Sequence, residues 1–260
     1  MIKAAFFDVD GTLVSFRKKL ISDALLADLA ELRRKGVKLF LATGRAKPDL
    51  EQAGMLRTAE FDACVTLNGQ YCYNEQGLYR DVPICMEDLR NACRVLNENP
   101  SFAARMEAGE KTCINRFNDL VRSMLEFAHI DRYEIQPPEW MLSRKIYQFV
   151  PMVDENEQEK FLSVMPHCVY TRWHPQGIDI LPRGNGKADG IQTTLDHYGL
   201  EREEVIAFGD GDNDLSMLKL AGTAVAMGNA VEPVKAAADY VTDTVENDGI
   251  CQALRHFGLL

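Results

Sequence analysis

Asp8-Val9-Asp10-Gly11-Thr12-Leu13 places two carboxylates two positions apart, directly behind a short apolar run. On a continuing strand both would share one face, but Gly11 lets the chain turn and gives each acid its own direction. One can then attack an electrophile while the other handles protons. Thr43-Gly44-Arg45 offers a hydroxyl and backbone N–H groups at a glycine turn, a cradle suited to phosphate oxygens. Lys187 opens a helical stretch after Arg183-Gly184-Asn185-Gly186, where the helix dipole disfavours a cation. A tethered ammonium that neutralises clustered carboxylates and a phosphate would justify that position. Gly209-Asp210-Gly211-Asp212-Asn213-Asp214 adds a second acidic turn. Each segment alone has a plainer account: a solvated loop or helix cap for Asp8 and Asp10, an ordinary turn for Thr43–Arg45, solvation for Lys187, and an N-cap for Asp212, the role favoured for it here. Together Asp8, Asp10, Asp210 and Asp214 could bring four acids to one edge, where they would repel one another. Hard oxygen donors without His or Cys are what Mg²⁺ takes, so a bound Mg²⁺ would make the cluster tolerable.

Such a gathering requires elements that deliver these turns to one place, and a strand-helix alternation provides them. Lys3–Asp8 and Val37–Ala42 read as strands buried on both faces, and Ala63–Leu67 as a third. Between the first two, Ser22 caps a helix with Leu25, Leu26, Leu29 and Leu32 inward, which Gly36 ends. Gln70–Val82 reads as a hairpin around Asn74-Glu75-Gln76-Gly77. The alternation returns with a helix at Lys187–Tyr198, a strand at Val205–Phe208, a helix at Asp212–Leu220, a strand at Thr223–Met227 and a helix at Val231–Ala238. Repeated β-α-β units imply an α/β fold with a doubly wound, Rossmann-like parallel sheet that binds ligands at the carboxyl ends of its strands. Residues 83–182 differ in character: eight of the ten prolines fall there, with strands expected at Lys145–Val150 and Val169–Trp173 and a helix at Glu87–Asn99. The expected organisation is a core of residues 1–82 and 183–260 interrupted by an inserted α+β module, 83–182.

Composition excludes other classes. The 260 residues carry 29 Lys and Arg against 39 Asp and Glu, a net charge of −10, with no basic run longer than Arg17-Lys18-Lys19. Nucleic-acid affinity comes chiefly from clustered cations, so a nucleic-acid partner is not expected. No apolar stretch is long enough to span a membrane and none resembles a signal peptide. Seven cysteines, an odd number without a Cys-x-x-Cys spacing, fit a reducing cytoplasm, and the scattered histidines make a zinc site an unfavoured expectation. A monomer or weak homo-oligomer is expected.

The four segments, in this order and with these separations, resemble the haloacid dehalogenase-like (HAD) superfamily of aspartate-dependent phosphatases. The insert between the second and third motifs resembles the subclass IIB cap, and Gly222–Gly228 with Ala236-Ala237-Ala238-Asp239-Tyr240-Val241 is similar to the Cof-type branch, bacterial sugar-phosphate phosphatases being the nearest likeness. The resemblance implies a nucleophilic Asp8 that forms an aspartyl-phosphate and an Asp10 that protonates the leaving oxygen and then activates water. It further implies Mg²⁺ on Asp8, the Asp10 carbonyl and Asp210, with Asp214 assisting through water or from behind the ligands. The Val9 and Gly44 N–H groups, Thr43, Lys187 and Asn213 would hold the phosphoryl oxygens. Two departures concern local geometry only: the family often has Glu where Asp212 stands, and Gly where Ala188 follows the lysine.

The implied activity is Mg²⁺-dependent hydrolysis of small phosphorylated metabolites, sugar phosphates foremost. A phosphosugar mutase shares the same intermediate, and a non-catalytic phosphometabolite-binding protein would have no use for a nucleophile. Arg45 is a possible substrate contact, with a structural ion pair the competing account. Within the insert, Arg105, Trp140, Arg144, Trp173 and His174 could face a polar ligand. Core packing or surface exposure is the favoured account of the aromatic and His side chains, and no substrate code is assigned to the insert.

Overall fold

The computed structural model of the protein describes residues 1–15, 17, 20–127, 130 and 133–260. Lys18 and Lys19 of the short basic run lie outside the described residues. The chain forms two compact units, one of Met1–Gly44, Ala53–Arg80 and Gly186–Leu260, the other of Arg45–Gln52 and Asp81–Asn185.

Strand β1 (Ala4–Phe7) is buried along its whole length, as an uninterrupted apolar run requires. Helix α1 (Asp23–Arg34) follows, capped by Ser22, whose side-chain oxygen accepts from the Leu25 N–H, and Gly36 turns the chain after it at φ +87°. Strand β2 (Lys38–Ala42), helices α2 (Lys47–Gln52) and α3 (Met55–Thr58) and strand β3 (Ala63–Thr66) lead to the hairpin β4 (Tyr71–Asn74) and β5 (Gly77–Asp81). Next come α4 (Met86–Glu98), β6 (Ala104–Glu107), β7 (Thr112–Ile114), α5 (Asp119–Phe127), β8 (Gln148–Pro151), α6 (Glu159–Leu162), β9 (Cys168–His174) and β10 (Gly177–Pro182). The chain then runs through α7 (Lys187–Tyr198), β11 (Val205–Gly209), α8 (Leu215–Leu220), β12 (Thr223–Ala226), α9 (Glu232–Ala237), β13 (Tyr240–Val241) and α10 (Gly249–His256).

The first unit holds one eight-stranded sheet in the order β13-β12-β11-β1-β2-β3-β4-β5. Strand β1 is parallel to both β2 and β11, and only beyond β3 does the sheet turn antiparallel. Chain order runs outward on both sides of β1, so the sheet reverses direction there, and Asp8 and Asp210 leave from the carboxyl ends of the adjacent strands β1 and β11. This is the doubly wound α/β core expected from the sequence, with the crevice where such sheets bind ligands.

The second unit holds an antiparallel sheet, β7-β6-β8-β10-β9, over a core that includes Phe102, Met106, Trp140, Phe149 and Phe161. Strand β8 begins at Gln148 and not at Lys145, because Ile146 gives its carbonyl to the Ile84 N–H outside the sheet. Arg45–Gln52, placed by sequence with the core, groups instead with this unit. The reason is electrostatic: Asp49 accepts two hydrogen bonds from Arg105 at 3.0 Å, and Lys47 pairs with Glu110 at 2.8 Å. Among the described residues no helix is long and apolar enough to cross a membrane.

Candidate active site

Asp8 leaves β1 with its N–H bonded to the Phe208 carbonyl at 3.0 Å, which carries the β1–β11 register into the loop. The Val9 carbonyl accepts from the N–H groups of Leu13 and Val14, closing a tight turn in which Gly11 sits at φ +87°. A Cβ on Gly11 would lie 2.1 Å from Asp210 Oδ2, so any other residue would push Asp210 away. Thr12 donates its hydroxyl to Asp210 Oδ1 at 2.8 Å, and Asn229 donates to the Gly11 carbonyl at 2.8 Å. Asp10, half-buried, bridges to Val14 within the same turn.

Lys187 is the first residue of α7, and its side chain is 0% exposed. Its ammonium donates to Asp8 Oδ1 at 2.6 Å and to Asp214 Oδ1 at 2.5 Å. Asp214 Oδ2 accepts the backbone N–H groups of Asp210 and Gly211, both at 3.0 Å. Asp212, expected to cap the helix, is exposed and opens a 3₁₀ turn, Asp212–Asp214, before α8; Asp214 stands at the N-cap of α8 but makes no side-chain cap bond, because its carboxylate folds back to the upstream N–H groups. Asp214 is thus a buried anchor that fixes both the lysine and the acidic turn.

Oxygens of Asp8, Asp210 and Asp214 all lie within 4.8 Å of one another. Burial first, then the Asp214 charge, push the Asp210 carboxyl up to about 7, against the Thr12 hydrogen bond. Asp8 is raised well above the usual carboxylate range by burial and then by Asp214, with Lys187 opposing. For Lys187 burial acts to lower the pKa, but the Asp214 and Asp8 carboxylates more than reverse this and raise it. One ammonium against three converging acids, Asp8 and Asp214 buried and Asp210 half-buried, leaves negative charge uncompensated. This all-oxygen donor set fits a hard divalent cation.

The expected phosphate cradle lies at the ends of β2 and β3. Thr43, buried, gives its N–H to the Val65 carbonyl and accepts from the Asn68 N–H at 3.0 Å. A Cβ on Gly44 would meet the Asn68 amide at 3.2 Å, and Asn213 Nδ2 donates to Asn68 Oδ1 at 3.1 Å. Leu67, Asn68 and Gly69 have φ of 52°, 54° and 94°, a left-handed turn that costs the two non-glycine residues about 1–3 kcal/mol each. A Cβ on Gly69 would lie 2.3 Å from the Gly186 carbonyl, so this glycine lets the strained turn pack directly under the start of α7 that carries Lys187.

The structure therefore brings Asp8, Val9, Asp10, Lys187, Asp210 and Asp214 to one sheet edge in the first unit, with Thr43, Gly44 and Asn213 gathered around Asn68. Arg45, half-buried, falls in the second unit. In that unit Arg105 is held between Asp49 and Glu107, Arg144 stacks its guanidinium over the buried Trp140 ring at 4.0 Å, and Trp173 is 40% exposed beside His174. Sequence reasoning assigned no role to Thr12, Asn68 or Asn229. Thr12 lies inside Asp8–Leu13, Asn68 belongs to an Asn-Gly pair whose plain account is a turn, and Asn229 follows Gly228 with no signal in its type or spacing.

Known proteins agree with this architecture. A family profile described as haloacid dehalogenase-like hydrolase matches residues 5–254. The 5-amino-6-(5-phospho-D-ribitylamino)uracil phosphatase YcsE of Bacillus subtilis (strain 168) is 32% identical over 268 residues, covering 99% of this chain and 96% of that protein. The solved HAD subclass IIB sugar phosphatase BT4131 is 33% identical with a TM-score of 0.88, covering 99% of this chain and all of that one. A further solved chain, from a phosphoryl-transfer superfamily described as conserving a trigonal-bipyramidal intermediate, is 33% identical with a TM-score of 0.92 and full coverage of both chains. The chain belongs to the haloacid dehalogenase-like hydrolases, and within them to the subclass IIB, Cof-type phosphatases.

Proposed function

We propose that this phosphatase hydrolyses small sugar-phosphate-like monoesters with Mg²⁺, through an aspartyl-phosphate on Asp8. The observation that carries the reading is the buried Asp8 carboxylate, held by Lys187 through Oδ1 and flanked by Asp210 and Asp214. Asp8, Asp210 and the Asp10 carbonyl would hold the cation, which when bound supplies charge neutralisation for the phosphoryl oxygens. Lys187 fixes the orientation of Asp8 and leaves Oδ2 as the oxygen it does not engage. In the first step an Asp8 oxygen forms a bond to phosphorus while the bond from phosphorus to the ester oxygen breaks, and Asp10 gives its proton to the departing alkoxide. In the second, Asp10 takes a proton from water as the water oxygen attacks phosphorus, the Asp8–phosphorus bond breaks, and inorganic phosphate leaves. The Val9 and Gly44 N–H groups, Thr43, Lys187 and Asn213 would orient the phosphoryl oxygens, since phosphoryl transfer depends mainly on positioning and charge stabilisation.

Support for a polyhydroxylated leaving group comes from two relatives, one named as a sugar phosphatase and the other for a ribityl phosphate. Phosphate release from hexose, pentose and nucleotide monophosphates with Mg²⁺, with products checked for isomerised phosphate esters, tests it. Release from a hexose or pentose phosphate at a kcat/KM above that for nucleotides is expected. Isomerised ester without net phosphate release would replace hydrolase by mutase, and no turnover across the panel would overturn the reading.

A further inference from the structure

A second group of donor atoms converges in the other unit, where the proposed phosphatase chemistry does not use it. Cys85 Sγ, His167 Nδ1 and an Asp88 carboxylate oxygen all lie within 4.8 Å of one another. His167 Nδ1 is 3.0 Å from Asp88 Oδ1 and 3.6 Å from Cys85 Sγ. Zn²⁺ bonds of about 2.3 Å to sulfur and about 2.0–2.2 Å to nitrogen and oxygen, at tetrahedral angles, put the S–N edge near about 3.6 Å and the N–O edge near about 3.4 Å. The observed spacings lie close to those edges. A single ring nitrogen faces both a carboxylate and a thiol, and one proton on it can lie along only one of those lines. A cation centred among the three would accept one lone pair from each donor atom at once.

The donors are also held in place. Cys85 is the N-cap of α4, and Asp88, 0% exposed, sits three residues on in its first turn. Asp88 Oδ2 accepts the His167 N–H at 3.1 Å, and the Arg183 N–H donates to the His167 carbonyl at 2.8 Å, so the imidazole-bearing loop is tied at both backbone groups. His167 keeps 57% of its side chain exposed and Cys85 is exposed, which leaves an approach from solvent and room for a fourth ligand.

We propose that Cys85, Asp88 and His167 form a site for a thiophilic divalent transition metal of the Zn²⁺ class, separate from the aspartate cluster. A thiolate and an imidazole select such an ion over Mg²⁺. The test titrates the full-length, chelator-stripped protein with Co²⁺ in excess Mg²⁺ and follows the thiolate-to-cobalt charge-transfer absorption. One Co²⁺ per chain is expected to give this band, and Zn²⁺ to abolish it. Cys85→Ser should lose the band. His167→Ala, at an exposed side chain, should keep native circular dichroism and weaken binding beyond the about 10–100-fold cost of losing an outer-shell partner. Asp210→Asn should keep the band, because the aspartate cluster contains no sulfur. Absence of the band, its persistence in Cys85→Ser, undiminished affinity in His167→Ala, or its loss in Asp210→Asn would each overturn the assignment.

Discussion

Replacing Lys187 with Met removes the ammonium that Asp8 and Asp214 share while keeping a side chain of similar length. Both hydrogen bonds it makes, 2.6 Å to Asp8 and 2.5 Å to Asp214, are buried. Two charge-assisted bonds at about 1.5–3 kcal/mol each, or one broken buried ion pair at about 3–5 kcal/mol, place the cost near about 4 kcal/mol. At about 2–4 °C per kcal/mol for a chain of this size, the midpoint falls by about 10 °C. The sign with pH follows from the shifts. Lys187 is raised above its ordinary 10.5, so its contribution is fully present below that value and is lost only as pH rises through the folded-state pKa. Without it Asp8, already raised by burial and by the Asp214 charge, loses the group that opposes that rise, so the deficit should shrink as pH falls from about 8 to about 5 and Asp8 takes up its proton. Adding Asp214→Asn should recover at least about 1 kcal/mol, a non-additive result for groups in contact. Urea unfolding in chelator-containing buffer, followed by far-UV circular dichroism, measures the parent and both variants. A Lys187→Met protein within about 0.5 kcal/mol of the parent, or a deficit that grows towards acid pH, would refute the reasoning.

Gly11→Ala should displace Asp210 and lower Mg²⁺ affinity by about 10–100-fold in calorimetric titration, since its Cβ would fall 2.1 Å from Asp210 Oδ2; parental affinity contradicts this. With Asp210 raised from its ordinary 3.8 to about 7, the metal-free protein should lose stability as pH rises between those values, and Mg²⁺ should displace a proton below about 7. Mg²⁺ affinity should then weaken by up to about tenfold per pH unit on acidification, and a flat profile would count against it. Asn68→Gly suits the left-handed backbone but removes the amide that accepts from Asn213, so kcat/KM should drop by about tenfold with little change in melting temperature. Asn68→Val should lower the melting temperature as well, because a β-branched residue is strained at that φ.

The parallel core was legible because apolar runs such as Ala4–Phe7 and Val37–Ala42 have one stable placement, buried on both faces of a sheet. Turns carrying Asp8, Lys187 and Asp210 were legible for a related reason: acids and glycines directly behind buried strands mark the carboxyl edge. What sequence could not supply was the division of labour among the acids. Asp212 and Asp214 are equivalent in type and nearly so in position, and only the fold-back of the Asp214 side chain onto Asp210 and Gly211 separates anchor from exposed residue. The grouping of Arg45–Gln52 with Asp81–Asn185 depends on the distant partners Arg105 and Glu110, which no local pattern reveals. Asn68 was hidden by an Asn-Gly pair that reads as an ordinary turn, whereas here three successive left-handed residues aim its amide at Asn213. The cluster of Cys85, Asp88 and His167 spans about eighty residues of sequence and lacks any metal-ligand spacing.

The covalent intermediate on Asp8 is the central claim, and trapping it is its most direct test. The Asp10→Asn protein, incubated with Mg²⁺ and a ³²P-labelled hexose phosphate and quenched in acid, should carry hydroxylamine-labile label on the peptide containing Asp8, with very low turnover. Asp8→Asn should carry none. Near-normal hydrolysis by Asp10→Asn, or label recovered from the Asp8→Asn protein, would contradict the account.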